Sequence, residues 1–285
     1  MSAADTLAVV RSVAALRAAI AVWRASGETV ALVPTMGALH AGHLSLVSRG
    51  QALADRVVAT IFVNPAQFAA HEDLSSYPRR EARDFDMLRS AGVPLVFAPP
   101  VEEMYPPGFA TTVTVAQVSE GLCGARRPGH FAGVATVVAK LLLQALPDVA
   151  IFGEKDYQQL QVIRRLTRDL DIPVRIEGAP TVREADGLAL SSRNVYLDER
   201  QRRIAPELHR VLADTAARIG AGDAALACAD GLAALTRAGF DPVEYLEWRD
   251  ADTLAPDPAP GRPGRLLAAA WLGGTRLIDN VPASR

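Results

Sequence analysis

Apolar runs alternate with helical periodicity along the chain as far as about Pro180. The runs are short, continuous and rich in Val, Ile and Phe, which predicts strands buried on both faces of a parallel sheet. Between them, apolar residues recur every three or four positions, as helices require. The pattern predicts a doubly wound, Rossmann-like α/β fold. The predicted strands are Thr29–Val33, Val57–Val63, VPLVFA, Asp148–Gly153 and PVRIEG.

Beyond about Pro180 the pattern changes. An amphipathic helix begins near Ile204, and residues 223–238 predict a second helix, rich in Ala. PVEYLEWRD and GRLLAAAWLGGTRLIDN then predict strands, the latter with a hairpin turn at Gly273–Gly274. We therefore predict a catalytic domain of residues 1–181 and a smaller α+β domain of residues 182–285, which could act as a lid.

Composition narrows the possible functions. The 285 residues carry a formal net charge of −2, so no global positive field would attract nucleic acid. No apolar stretch reaches the roughly 18 uncharged residues that would cross a bilayer. The two cysteines are far apart and form no CxxC pair, which favours a reducing compartment. We expect a cytoplasmic protein that binds neither membrane nor nucleic acid.

Four polar clusters come just after predicted strands: PTMGALHAGH, NPAQF, GEKDYQQL and DGLALSSRN. The carboxyl ends of parallel strands share one edge of a sheet, where ligands bind. We therefore expect the clusters to converge. Neither GxGxxG nor GxxxxGK[ST] occurs, which disfavours simple NAD enzymes and P-loop NTPases.

The first cluster holds two histidines, His40 and His43. If Gly37 makes a turn and a helix begins near Ala41–Gly42, both rings point to one side of its first turn, where the helix N–H groups and dipole suit a phosphate. Gly42 would leave room for a base or ribose. An isolated HxxH is more often a pair of capping or surface residues. The helical zinc motif is disfavoured, because it needs histidines four apart with an adjacent Glu.

The other clusters offer further ligands. Lys155 could bind phosphate, although a charged first helical turn explains it equally well. SSRN could clamp a triphosphate, but taken alone an ordinary polar turn explains it better. Asn64 and Gln67 are neutral amides that could fix a carboxylate or a hydroxyl. Arg127 could hold an anion or lie in an exposed loop. Asp84 could contact Mg²⁺, but a solvated helix face explains it better.

Taken together, seven ordered motifs resemble one known family. PTMGALHxGH, IFVNPxQF, YPR, RPGHFxGV, FGEKDxQQL, DGLALSSRN and TRLIDN span about Val30 to Asn280. The sequence resembles the pantoate–β-alanine ligases of bacteria and plants, which are nucleotidyltransferase-like enzymes with an HxGH signature. The resemblance implies that pantoate and ATP form pantoyl-adenylate and pyrophosphate, and that β-alanine then displaces AMP to give pantothenate. It also implies Mg²⁺ and a homodimer.

The resemblance also implies residue roles. His43 would be the catalytic proton donor, with His40, Lys155 and Arg193 also on the phosphates. By the resemblance, Gln67 would bind pantoate and later β-alanine, and Gln159 would bind pantoate. From their own chemistry, Asn64 and Arg127 join them as candidate substrate ligands. The metal ligands stay open, with Asp84 a weak candidate. The ATP site would comprise Met36, Gly37, Ala38, Leu39, His40, Ala41, Gly42, His43, Gly153, Glu154, Lys155, Asp156, Val182, Leu190, Ser191, Ser192 and Arg193.

This sequence departs from many family members at two positions: Ala41 replaces a common Glu, and Leu190 replaces a common Met. Neither position has a catalytic role in the assignment. Two alternatives stay open. One is an enzyme that adenylates a phosphate, which the neutral amides of NPAQF and EKDYQQL disfavour. The other is a nucleotide-binding regulator without turnover, which the combination of Lys155, His43 and Arg193 disfavours.

Overall fold

The computed structural model describes residues 7–69, 72 and 74–284. The chain forms two compact units, each built from separated segments. The first unit contains the stretch up to Val115, then Arg127–Glu154 and Val162–Pro180. The second contains Ala116–Arg126, Lys155–Gln161 and the chain from Thr181 onward. The sequence pattern gives no sign that the two short internal segments belong to the second unit.

A six-stranded parallel sheet organises the first unit, with strand order β1-β4-β3-β2-β5-β6. Its strands are β1 (Ala8–Val10), β2 (Val30–Thr35), β3 (Arg56–Ile61), β4 (Leu95–Phe97), β5 (Val149–Gly153) and β6 (Arg175–Ala179). Helices α1 (Val13–Ala25), α2 (Ala41–Gln51), α3 (Glu81–Ser90), α4 (Val101–Met104) and α6 (His130–Ala145) belong to this unit. Helix α7 (Tyr157–Asp169) starts in the second unit and ends in the first.

The strand order places a topological switch point at β2. The chain runs outward from β2 through β3 to β4, then returns to place β5 on the other side of β2. Ligands of open α/β sheets bind beyond the carboxyl ends of the strands at such a point. Val30, Ala31, Leu32 and Val33 of β2 are fully buried, as a central strand requires.

The second unit joins an antiparallel sheet to helices. Strands β7 (Val243–Asp250), β8 (Gly264–Leu272) and β9 (Thr275–Pro282) lie in that order. Gly273 and Gly274 form the predicted hairpin turn, with φ of +55° at Gly273. The helices are α5 (Leu122–Arg126), α8 (Glu199–Ile204), α9 (Glu207–Gly220) and α10 (Ala224–Ala238). Leu212, Leu235, Phe240 and Leu266 are fully buried in their common core.

The predicted fold class is confirmed: a parallel α/β sheet is accompanied by a smaller C-terminal α+β unit. The sequence pattern missed β1, because this strand has three residues and is partly exposed. Within the described residues, no helix is long and apolar enough to span a bilayer.

Candidate active site

A tight loop joins the end of β2 to α2. Gly37 and Ala38 both have left-handed backbone conformations, with φ of +80° and +51°. Glycine adopts such a φ freely, whereas alanine pays roughly 1–2 kcal/mol for it. The loop delivers the chain to His40, the N-cap residue of α2. The predicted turn at Gly37 and the predicted helix start near Ala41 are both confirmed.

His40 and His43 cap the helix reciprocally. The backbone N–H of Gly42 donates to Nδ1 of His40 at 3.1 Å, and the backbone N–H of His40 donates to Nδ1 of His43 at 3.3 Å. The ring centroids are 4.1 Å apart. A neutral imidazole that accepts through Nδ1 carries its proton on Nε2. Both histidines are therefore set as Nε2–H donors, and the prediction that they lie on one side of the first turn is confirmed.

The same caps change the expected source of phosphate donors. The N–H groups of His43 and Leu44 both donate to the carbonyl oxygen of His40, and that of Gly42 goes to the His40 ring. The helix dipole is retained, but these backbone donors already have acceptors. Hydrogen bonds from this helix start to a phosphate would therefore come mainly from the two imidazoles. The sequence had favoured the backbone N–H groups instead.

Asp84 of α3 is 1% exposed. Its two carboxylate oxygens accept the backbone N–H groups of Ala38 and Leu39, each at 2.8 Å. The expectation that Asp84 lies on a solvated helix face is wrong. Both oxygens already accept hydrogen bonds from the loop. In this geometry Asp84 therefore binds the protein backbone and has a structural role.

Gln67 lies in a 3-10 turn, Pro65–Gln67, just after β3. Asn64 supports it through four hydrogen bonds. The Asn64 amide donates to Oε1 of Gln67 at 3.0 Å and to the carbonyl oxygen of Gly133 at 3.1 Å. Its Oδ1 accepts from the hydroxyl of Tyr105 at 2.7 Å and from the N–H of Ala66 at 3.2 Å. This network uses the full hydrogen-bonding capacity of Asn64, so Asn64 fixes the orientation of Gln67.

The Nε2 group of Gln67 has a different kind of partner. It donates to the sulfur of Met36 at 3.1 Å. A thioether is a weak acceptor. A carboxylate or hydroxyl oxygen of a substrate could therefore take this hydrogen bond at little cost. Burial raises the pKa of Tyr105 to about 12, so its hydroxyl keeps its proton and its bond to Asn64 at neutral pH.

Gly133 lets α6 approach the 3-10 turn closely. A Cβ at this position would lie 2.2 Å from the carbonyl oxygen of Ala66 and 2.7 Å from Cα of Gln67. Both are backbone atoms, which cannot rotate away. The glycine of the RPGHFAGV motif is therefore required by packing against the turn that carries Gln67.

Arg127 forms an ion pair instead of pointing to an open surface. Its guanidinium binds both oxygens of Glu72, at 2.6 and 2.8 Å, and its Nη1 lies 2.9 Å from Nε2 of His130. Nδ1 of His130 lies 2.9 Å from the carbonyl oxygen of Gln67. Because arginine only donates, the neutral His130 accepts at Nε2 and donates from Nδ1 to Gln67. Burial would raise the pKa of Glu72, but Arg127 lowers it below its usual value.

The carboxyl end of β5 brings a third cluster to the same edge of the sheet. β5 ends at Gly153, beside β2, and the 3-10 turn Glu154–Asp156 follows. Gly153 and Glu154 thus follow a strand adjacent to the one that leads to His40. The expected convergence is confirmed for the clusters at β2 and β3, and for Gly153 and Glu154 of the cluster at β5. The rest of that cluster, from Lys155 onward, and the fourth cluster lie in the second unit.

Within the second unit, Lys155 is held through its backbone. The side-chain amide of Asn280 donates to the carbonyl oxygen of Lys155 at 2.9 Å. Oδ1 of Asn280 accepts from Nε of Arg265 at 2.6 Å, and this guanidinium stacks 4.2 Å from the ring centroid of Tyr157. Nζ of Lys155 lies 3.8 Å from the carboxylate of Asp156, and its side chain is 19% exposed. The TRLIDN motif thus supports the lysine of GEKD.

Two adjacent glutamines of α7 have different environments. Gln158 is buried, accepts from the N–H of Cys123 at 3.0 Å, and its amide approaches the carbonyls of Val118, Glu120 and Gly121 at 3.2–3.3 Å. Gln159 is only half-buried. Successive helical residues point about 100° apart, so one glutamine anchors the Ala116–Arg126 segment while the other is the candidate ligand.

A short ladder organises the last cluster. The N–H of Leu190 donates to the carbonyl oxygen of Val182 at 3.0 Å, so two predicted nucleotide ligands lie side by side. Ser191 caps the 3-10 turn Ser192–Tyr196 by accepting from the N–H of Arg193 at 3.3 Å. Ser192 and Arg193 therefore stand in a capped turn directly after the ladder.

Sequence reasoning missed several residues of this site. Glu72, Tyr105, Gly133 and Asn280 carry no predicted role, although all support predicted ligands. Gly133 and Asn280 lie inside recognisable motifs. The motifs indicate that these residues are important but do not reveal their structural roles. Tyr105 lies outside all the motifs, so only the structure reveals it.

Comparison with known proteins identifies the family. The sequence profile of Pantoate-beta-alanine ligase matches residues 8–282. The chain belongs to the pantoate–β-alanine ligase family. The resemblance expected from the seven motifs is thereby confirmed, and the chain is an enzyme of the ligase class.

Individual relatives agree with this assignment. The pantothenate synthetase of Paramagnetospirillum magneticum is 66% identical over 274 residues, 96% of each chain. The crystal structure of pantothenate synthetase from Thermus thermophilus has a TM-score of 0.90 at 49% identity, covering 97% of this chain and 99% of that one. The pantoate–β-alanine ligase of Francisella tularensis, solved in complex with beta-gamma ATP and beta-alanine, has a TM-score of 0.80 at 30% identity over 97% of this chain and 98% of that one.

Proposed function

We propose that this pantoate–β-alanine ligase condenses pantoate with β-alanine in two half-reactions, through a pantoyl-adenylate. In the first, a carboxylate oxygen of pantoate attacks the α-phosphorus of ATP, and the bond to pyrophosphate breaks. In the second, the amine of β-alanine attacks the acyl carbon, AMP leaves, and an amide forms. The observation that carries the proposal is the reciprocal capping of His40 and His43 beside the switch point of the sheet.

The first half-reaction needs alignment and charge stabilisation. The pantoate carboxylate is already ionised at neutral pH, so no general base is required. Negative charge develops on the α-phosphate and on the departing pyrophosphate. Nε2–H of His40 and of His43 would donate to these oxygens, with His43 as the proton donor. Lys155 and Arg193 would add positive charge.

Binding of pantoate falls to neutral amides. Gln67 is oriented by Asn64 and can exchange a weak sulfur acceptor for a substrate oxygen. Gln159 would supply a second contact. Arg127 is paired with Glu72, so its proposed contribution is to support Gln67 through His130. In the second half-reaction the amine must be neutral, and the adenylate must be protected from water.

The remaining proposed contacts to ATP come from residues of the polar clusters. By the family resemblance, Met36 to His43 and Gly153 to Asp156 would contact ATP. Val182 and Leu190 to Ser192 would complete the contacts to the nucleotide. Gly42 would leave space for the base or ribose, as the sequence predicts.

The proposed metal is Mg²⁺ bound to ATP. Among the described residues, no group of three or more His, Cys, Asp or Glu side chains could hold a metal ion. Mg²⁺ commonly binds nucleotide phosphates with only one or two protein carboxylates. We therefore treat MgATP as the substrate. We further propose a homodimer, which sedimentation velocity of the purified chain would test, and a cytoplasmic location.

The experiment that tests the reaction is pantoate-dependent exchange of labelled pyrophosphate into ATP. We expect exchange with pantoate and MgATP alone, and AMP release only after β-alanine is added. Exchange that proceeds equally well without pantoate would contradict the proposal. An enzyme that adenylates a phosphate would show exchange with its own acceptor instead, and a regulator without turnover would show none.

A further inference from the structure

The loop between β2 and α2 is held in a conformation that its sequence does not favour. Gly37 and Ala38 are consecutive left-handed residues, and alanine disfavours this region because its Cβ approaches the backbone. His40 follows two residues later. Any relaxation of the loop would therefore shift the backbone N–H that sets the His43 ring.

The contacts that counter this preference converge on Asp84. Its Oδ2 accepts from the N–H of Ala38 and its Oδ1 from the N–H of Leu39, each at 2.8 Å. Consecutive backbone N–H groups around one anion form a nest. The side chain is 1% exposed, so these charge-assisted bonds also compensate its burial.

The fit around the carboxylate is tight. A Cβ on Gly37 would lie 3.0 Å from Oδ2 of Asp84 and 3.2 Å from Cγ2 of Ile61. The neighbouring N–H groups of the loop have other acceptors: Gly37 donates to Oγ1 of Thr35 at 3.2 Å, and His40 donates to the His43 ring. Asp84 thus supplies the anchor in the middle of the loop.

We propose that Asp84 is a positioning residue, which acts through the backbone of Ala38 and Leu39 to place the His40 and His43 imidazoles. The activity part of this inference rests on the proposed function of those histidines. In this role the Asp84 carboxylate binds the loop backbone and makes no contact with the substrate. It fixes where the signature loop presents its two Nε2–H groups.

The test compares Asp84→Asn with Asp86→Asn in the full-length protein. The amide introduced by Asp84→Asn would keep the shape of the carboxylate, but it would present an NH₂ group to one of the two backbone N–H donors. Asp86 is the matched control, because it lies on the same helix, pairs with Arg89 and has a 72% exposed side chain. Three measurements are made: the ¹H–¹⁵N imidazole signals of His40 and His43, the thermal transition, and pantoate-dependent pyrophosphate exchange.

We expect Asp84→Asn to shift both sets of imidazole signals and to lower kcat of exchange about 10- to 100-fold, with KM for pantoate within about twofold. Asp86→Asn should leave the imidazole signals and kcat unchanged. Unchanged imidazole signals and kcat in a folded Asp84→Asn variant would overturn the proposal. If that variant does not fold, amide hydrogen exchange of the unmodified protein decides: the Ala38 and Leu39 amides should be protected, and fast exchange at both would overturn it.

Failure of the proposed function gives a different result. If the unmodified protein shows no pantoate-dependent exchange, the assigned reaction is wrong. The imidazole signals would still decide whether Asp84 positions the two histidines.

Discussion

The side-chain amide of Asn280 donates to the backbone carbonyl of Lys155, 125 residues earlier in the sequence, at 2.9 Å. This contact links the TRLIDN motif to a proposed phosphate ligand. It predicts that Asn280→Ala lowers pyrophosphate exchange about 5- to 20-fold, since an unsatisfied, partly buried carbonyl costs about 1–2 kcal/mol and the lysine loses its backbone support. If Asn280 acts through Lys155, Asn280→Ala should reduce exchange little further in a Lys155→Ala background. Fully additive losses of activity would show that the two residues act independently.

His43→Ala and Lys155→Ala should each lose roughly 2–4 kcal/mol of transition-state stabilisation for adenylate formation. Pyrophosphate exchange at saturating ATP measures this loss. Near-normal exchange in either variant would refute that residue's assignment. His43 also caps the helix, so His43→Asn serves as the control: its amide oxygen can still accept from the His40 N–H, while the Nε2–H donor is lost. We expect this variant to retain the thermal stability of the helix but not the activity.

Gly133→Ala should displace the 3-10 turn that carries Gln67. The new Cβ would meet backbone atoms of Ala66 and Gln67 at 2.2–2.7 Å, and overpacking of this kind costs about 1–3 kcal/mol. We expect a lower thermal transition and a KM for pantoate raised at least fivefold. Leu143→Ala, on an exposed site of the same helix, is the control and should leave the KM for pantoate unchanged.

Tyr105→Phe removes the hydroxyl that donates to Asn64. The loss should be about 1 kcal/mol of stability and a few-fold increase in KM for pantoate, with ATP affinity unchanged. Burial raises the pKa of Tyr105 to about 12, so between pH 10 and 12 the unfolded chain releases this proton while the folded chain retains it. The contribution to stability is therefore present below pH 10 and lost as the pH rises across this window. Thermal unfolding at pH 9 and pH 11 should show a smaller fall for the Phe variant, and equal falls would contradict the assignment.

The sequence predicts Arg127 as a direct substrate ligand, whereas the structure pairs it with Glu72. If it acts by supporting His130 and Gln67, Arg127→Ala and Glu72→Gln should raise KM for pantoate by similar factors. A far larger effect of Arg127→Ala would indicate direct contact. Because the pKa of Glu72 is lowered, the pair contributes stability above the ordinary glutamate pKa and loses it as the pH falls through the lower folded value. Glu72→Gln should therefore reduce the loss of stability on acidification below about pH 4.5.

Local features were predictable from the sequence and distant ones were not. Continuous apolar runs located the buried strands, and Gly37 with the two histidines located the start of α2, because strand burial and helix capping depend on nearby residues. The role of Asp84 depends on acceptors for N–H groups 45 and 46 residues away. No local pattern distinguishes such a carboxylate from one on a solvated helix face.

The two glutamines of YQQL illustrate the same limit. Sequence alone gives them equal chemistry, and the family resemblance singles out Gln159. The structure adds the reason, because Gln158 anchors the segment near Cys123. Likewise, the motifs indicated that Gly133 and Asn280 matter, but only the packing against Ala66 and the bond to Lys155 explain them.

The interleaving of the second unit has a consequence for engineering chimaeras. Its antiparallel sheet is supported by residues from three stretches of chain: the hydroxyl of Tyr245 lies 3.0 Å from the thiol of Cys123, and the hydroxyl of Tyr157 donates to the carbonyl oxygen of Ala251. An exchange with another family member at residue 181 alone would set a foreign sheet against the original partners. A transplant would have to carry Ala116–Arg126 and Lys155–Gln161 together with the C-terminal region, so the exchangeable module is discontinuous in the gene.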